Sequence, residues 1–181
     1  MERGNHKAAR PILALALRIC RERPETMLSI LADVLFCHAS LGAATNDSPE
    51  KILQYATEHL EVRTRLHAQM MSEHSRIMLS TAEGELGQAM MINNRHEEAL
   101  EHCANSKALR NEPLPSEAMG EDDIAIFPRV HEAYSMIALG RLEQAERSIE
   151  EILAFRRRVY KQPDSSFVYV MQSTFVMENV Y

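Results

Sequence analysis

The sequence predicts an all-α fold: antiparallel helix pairs stacked into a right-handed superhelix, an α-solenoid of about eight helices. Three observations predict it. Glycine and proline are scarce, at 6 and 7 of 181 residues, while Ala, Leu, Glu and Arg are frequent, a composition that favours helix over sheet. Apolar residues recur three and four apart, the period of an amphipathic helix. The pattern also repeats: Leu17-Arg18, Val62-Arg63, Leu109-Arg110 and Phe155-Arg156 follow one another at spacings of 45, 47 and 46 residues. A fixed period of that length marks a helical array.

Taken in order, residues 7–21 form one helix, read as the second half of a repeat whose first half is missing. The first full pair spans 25–66. Its leading helix, 25–41, turns Leu28, Leu31, Ala32, Leu35 and Ala39 inward, and Gly42 ends it. Asp47 or Ser48 caps the next helix, with Pro49 in its first turn, where the absent N–H costs nothing; Ile52, Leu53, Ala56, Leu60 and Val62 mark its face. The pair 73–110 is the best preserved. Leu86, Ala89 and Met90 line its first helix, and Asn93-Asn94 form the turn, one closing a helix and the other opening the next. Glu97 and Glu98 suit the positive end of the second helix. Ala99, Cys103 and Ser106 give that helix a narrow face of small residues.

Residues 111–127 read as a proline-containing linker. Pro128 is expected in the first turn of the following helix, because deeper inside it removes a backbone hydrogen bond. The pair 128–158 carries Val130, Ala133, Ile137 and Ala138, then Leu142, Ala145, Ile149, Ile152 and Leu153, with Gly140 as the turn and Glu143–Arg147 as an i, i+4 pair. Pro163 breaks the chain again. The mostly apolar stretch 164–180 is expected to be a half-repeat helix that either packs back or supports self-association.

Residues 83–110 resemble the tetratricopeptide repeat: Leu86-Gly87 stands as the Leu-Gly pair, Met90 as the next large apolar position and Ala99 as the small residue. Cys103 stands where an aromatic is usual, and the chain has no Trp. The longer spacing is similar to that of kinesin light chains and of fungal tandem-repeat proteins, in which a helix ending in Arg precedes a Pro-Asp link, as Arg156 precedes Pro163-Asp164 here. The resemblance implies a protein–protein interaction scaffold or adaptor that binds a peptide or helix of a protein partner in its concave groove, lined by the first helices. The family's groove positions carry over to Gln88, Met91, Val130, Tyr134 and Ile137. The chaperone-binding type clamps a peptide carboxylate with Lys and Asn. Gly84, Gln88, Val130 and Tyr134 stand at those positions, which speaks against such a clamp. The alternative reading within this class is a regulatory or accessory piece of a larger repeat protein, including one accessory to a fungal biosynthetic pathway.

Charge and motifs narrow the remaining classes. A formal charge of −6 gives no basic stripe for phosphates, so no nucleic-acid partner is expected. No run reaches the length of a membrane span. The basic start, with Arg3, Lys7, Arg10, Arg18, Arg21 and Arg23, falls in the repeat phase and reads as a structural helix rather than a mitochondrial presequence. Three scattered cysteines make no disulfide framework, and the expected compartment is the cytoplasm, with the nucleus as the other reducing interior. The eight histidines contain no HExxH pair, and neither a phosphate loop nor a GxSxG elbow occurs. The expectation is no catalytic residue, no metal and no cofactor. The competing class is a metal-dependent enzyme built on His59, His67 and His74.

Overall fold

The computed structural model describes residues 6–23, 25–110 and 122–160, with side chains from 126 to 154 in the last stretch. Among the described residues there are seven helices and no strand: α1 (His6–Glu22), α2 (Leu28–Ala44), α3 (Pro49–Met70), α4 (Glu73–Ile92), α5 (His96–Leu109), α6 (Asp122–Ala138) and α7 (Leu142–Tyr160). The expected last helix, 164–180, lies outside the described residues, as does most of the linker. No described helix is long and apolar enough to cross a membrane.

Each helix packs against the next along the chain, and α2, α4 and α6 also touch in succession. The apolar periodicity explains this packing. Leu28, Leu31, Ala32, Leu35 and Ala39 of α2 are all buried, joined by Val34. Leu17 and Cys20 of α1 and Val62 of α3 form one cluster with all of these except Ala39. A second cluster joins Ala39, Ile52 and Ala56 to Leu86, Ala89, Met90 and Ala99. A fully buried Leu such as Leu35 contributes about 1.5–3 kcal/mol. The described residues cover only part of the surface of Ile12, Leu15 and Ile19 of α1. Arg10 and Arg21 of that helix pair with Asp47 at 2.7 Å and Glu58 at 2.5 Å.

The face of small residues on α5 brings it close to α4. A Cβ added at Gly87 would stand 2.9 Å from Cys103 Sγ and 3.3 Å from the Ala99 carbonyl. Further along the same contact, Ser80 and Ser106 exchange hydrogen bonds: Ser80 Oγ donates to the Ser106 carbonyl at 2.8 Å and Ser106 Oγ to the Ser80 carbonyl at 2.7 Å. Both serines are buried, so this exchange satisfies two hydroxyls that would otherwise destabilise the interface. Burial also pushes the Cys103 thiol up to about 12, which makes it a packing group rather than a nucleophile.

Several boundaries differ from expectation. Gly42 does not end α2, which continues to Ala44; it is buried against Ile52, whose Cγ1 would lie 3.0 Å from an added Cβ. α3 begins at Pro49 as expected but continues past Leu66 to Met70, and Met71, at φ 45°, terminates it. Ser72 then caps α4, exchanging hydrogen bonds with Ser75 at 3.1 Å each way. Asn93 closes α4 and Asn94 takes the left-handed conformation at φ 58°, but Arg95, not an asparagine, precedes α5. Gly140 turns the chain at φ 74°. Arg147 Nε donates to the Glu143 carbonyl at 3.3 Å rather than to its carboxylate. Pro128 lies well inside α6, which begins six residues earlier at Asp122. Ile126, 2% exposed, anchors this extra segment in the interior, and its burial offsets the hydrogen bond that proline removes.

Candidate functional site

Where α2, α4 and α6 meet, they enclose an open cavity of about 460 Å³. α2 contributes Phe36, Ser40, Ala43 and Ala44; α4 contributes Thr81, Gly84, Glu85, Gln88, Met91 and Ile92; α6 contributes Phe127, Pro128 and His131. The size and the mostly apolar wall with a few polar groups are those of a binding cavity. Phe36 and Phe127 keep 37% and 47% of their surface exposed. The close approach that forms the floor depends on a missing side chain: a Cβ at Gly84 would stand 2.8 Å from Pro128 Cγ.

Behind Glu85 runs a buried polar relay. Ser40 Oγ donates to Glu85 Oε1 at 3.1 Å, and His59 Nδ1 lies 2.7 Å from Glu85 Oε2. Arg63 Nε donates to His59 Nε2 at 3.2 Å, and Arg63 Nη2 donates to Asp33 Oδ1 at 2.5 Å. A guanidinium only donates, so Nε2 accepts and the ring hydrogen sits on Nδ1, directed at Glu85. Phe36 tilts over the His59 ring at a centroid separation of 5.7 Å. Burial pushes the Glu85 carboxyl above its ordinary range, against the opposing hydrogen bond from His59. Across the cavity, His131 is 3% exposed and neither ring nitrogen has a hydrogen-bond partner among the described residues. Burial pulls its pKa down to about 4.

Of the residues the sequence singled out, Gln88 and Met91 line this cavity. Val130 is buried in the interior. Tyr134 is half-buried with its ring 6.4 Å from that of His96 on α5, and Ile137 is half-buried. These three do not line the cavity; α6 presents Phe127, Pro128 and His131 to it instead. The three histidines of the competing class are not brought together. His59 belongs to the relay, His67 Nδ1 lies 2.8 Å from Ser75 Oγ, and His74 is exposed. No three His, Cys, Asp or Glu side chains among the described residues are placed to hold a metal ion. Sequence reasoning gave Phe36, Glu85 and His131 no role. The available signal for Glu85 was its phase: it lies one residue before Leu86, on the inward side of α4. No family model, curated protein or solved structure matches the chain.

Proposed function

We propose that this chain is a non-catalytic protein-interaction module, a right-handed α-solenoid of tetratricopeptide-like helix pairs that binds a peptide or helix of a protein partner in its concave groove. In this reading α2, α4 and α6 are the first helices of successive pairs and α3, α5 and α7 the second. The succession of contacts along α2, α4 and α6 supports it, since neighbour-to-neighbour packing is what a stacked array produces. The observation that carries the binding role is the cavity on that row of helices, with Phe36 and Phe127 left partly exposed on its walls. Exposed aromatics around an apolar depression are typical anchors for a partner helix or extended peptide. Gln88 and Met91 remain in the proposed contact set, and Phe36, Phe127 and His131 take the places first given to Val130, Tyr134 and Ile137. Three free cysteines fit a cytoplasmic setting.

Selection of binders from a displayed random-peptide library, followed by calorimetry, tests the proposal. Selected peptides are expected to lose at least about tenfold in affinity to Phe127→Ala and to Met91→Glu, in line with anchor residues at other interfaces. Peptides that bind both variants as tightly as the unaltered chain would place the binding surface elsewhere.

A further inference from the structure

The chemistry of the occupant follows from the charge of the cavity. Among the described residues Glu85 is the one formally charged residue on the lining, with no lysine or arginine beside it. Its two carboxylate oxygens receive hydrogen bonds from Ser40 and His59, and the tautomer imposed by Arg63 makes the His59 donor neutral. The Arg63 guanidinium is separated from Glu85 by the imidazole and gives its other end to Asp33. Arg110, at the α4–α5 side, donates to Ser80 Oγ at 3.0 Å and Thr81 Oγ1 at 3.4 Å. Among the described residues no lysine or arginine contacts the Glu85 carboxylate, 8% exposed, whose nearest nitrogen is His59 Nδ1 at 2.7 Å, and lone pairs remain on both oxygens. Burying a carboxylate is costly, and burial raises the Glu85 pKa against the opposing effects of His59, Ser40 and Arg63. His131 adds a second unmatched group on the opposite wall: as a neutral imidazole it offers an acceptor nitrogen that no described residue uses.

Resting on the groove reading above, we propose that the cavity selects an arginine side chain of the partner peptide, carried beside an apolar residue. The guanidinium lies on Glu85, its face is covered by Phe36, Phe127 and His131, and the apolar neighbour rests on Met91. Arginine fits better than lysine because its planar fork meets both carboxylate oxygens, it is less strongly hydrated, and it stacks on aromatic rings. Charge complementarity identifies this occupant and disfavours a peptide carboxylate, which would meet Glu85 with like charge.

The test uses the full chain at 0.15 M salt and three acetylated, amidated pentapeptides, Ala-Leu-X-Leu-Ala, with X as arginine, lysine or citrulline. Citrulline keeps the shape of arginine and removes the charge. Backbone amide shifts map the site and give Kd. The arginine peptide is expected to bind at least about tenfold tighter than the citrulline peptide, the size of one charge-assisted hydrogen bond, with shifts centred on Glu85, Gln88 and His131. Glu85→Gln is expected to erase that difference; where this variant does not fold, the citrulline comparison on the unaltered chain decides alone. Equal binding of arginine and citrulline, an arginine advantage that persists in Glu85→Gln, or no shifts at the groove would each overturn the inference. Lysine equal to arginine would overturn the guanidinium assignment, and equally tight binding of N-acetylarginine methylamide would overturn the peptide source. The groove reading fails separately: library-selected peptides that need Phe127 but carry no basic residue sink only the arginine inference, whereas the lack of any groove-dependent peptide sinks both.

Discussion

Replacing His59 and Glu85 singly and together by leucine tests whether the buried relay is one mutually dependent unit. The side chains of His59, Glu85 and Arg63 are 1%, 6% and 10% exposed, so water has little access to any group left without a partner. His59→Leu removes the donor to Glu85 Oε2 and the acceptor of Arg63 Nε at once. Losing a hydrogen bond to a charged group costs about 1.5–3 kcal/mol, and stranding a buried charge costs about 3–5 kcal/mol. Asp33 still holds Arg63 and Ser40 still serves Glu85, so a loss of about 3 kcal/mol is expected at pH 7. Glu85→Leu strands the His59 Nδ1 hydrogen, at about 1–3 kcal/mol, and regains part of that by burying a leucine. A net loss of about 1–2 kcal/mol follows.

In the double variant the donor and its acceptor are both absent; Arg63 Nε lacks its former partner, and Ser40 Oγ lacks its own just as it does in Glu85→Leu alone. The double loss should therefore fall short of the sum of the single losses by about 2 kcal/mol, within the range measured for contacting residues. Urea denaturation with unchanged m-values is the assay, since a change in m would mean that the unfolded or native state had altered. Additivity to within about 0.5 kcal/mol would refute the relay, because sites that do not interact add to that precision.

Three further predictions concern the helices around the cavity. Gly84→Ala should destabilise the fold by about 1 kcal/mol: the 2.8 Å approach to Pro128 Cγ is an overpacking cost of about 1–3 kcal/mol, against which helix propensity regains about 1 kcal/mol; stabilisation in urea melts would contradict the α4–α6 contact. Gly140→Ala should cost about 1–2 kcal/mol through backbone strain alone, since φ is 74° and no atom lies within 4 Å of the added carbon; an unchanged melting temperature would refute it. His131, with its pKa lowered from 6.5 to about 4, stays neutral in the fold while the unfolded chain takes up a proton. Its contribution is present above pH 6.5 and lost as the pH falls towards 4, by about 3 kcal/mol. Glu85 acts with the opposite sign, its raised pKa favouring the fold at low pH and losing that contribution as the pH rises through the folded value. His131→Leu should therefore be no less stable than the parent at pH 7 and clearly more stable near pH 4.5, and parallel pH profiles would refute this.

The helices themselves were legible because their periodicity is set by burial. All five residues assigned to the inner face of α2 are buried, as are Ala99, Cys103 and Ser106 on α5. Boundaries were less legible where a glycine or proline serves a tertiary contact instead of ending a helix. Gly42 admits Ile52, and Pro128 fills the space left by Gly84; neither role can be read from the local sequence. The polar relay was also out of reach. Ser40, His59 and Glu85 are 19 and 26 residues apart, and each alone resembles an ordinary surface residue. Their association depends on the stacking of α2, α3 and α4. The cavity face of α4 was legible through Gln88 and Met91, whereas that of α6 was not.

On α6 the residues expected in the groove and those that line the cavity differ by a specific rotation. The residues expected there, Val130 and Tyr134, stand three positions after Phe127 and His131, which line the cavity. Three positions along a helix leave the side chain about 60° short of a full turn. The expected set therefore lies on the adjoining strip of α6, and Tyr134 accordingly approaches His96 of α5. What sets the rotation is the contact between Gly84 and Pro128. With no side chain at 84, the proline ring seats directly on α4, and the residues one before and three after it, Phe127 and His131, are brought to the cavity. The same contact that interrupts the hydrogen bonding of α6 thus aims its aromatic residues. A side chain at position 84 would displace that seat and widen the cavity floor between Glu85 and His131. Gly84→Ala should consequently weaken groove binding by more than its effect on stability alone explains, when affinity is measured where both proteins are fully folded.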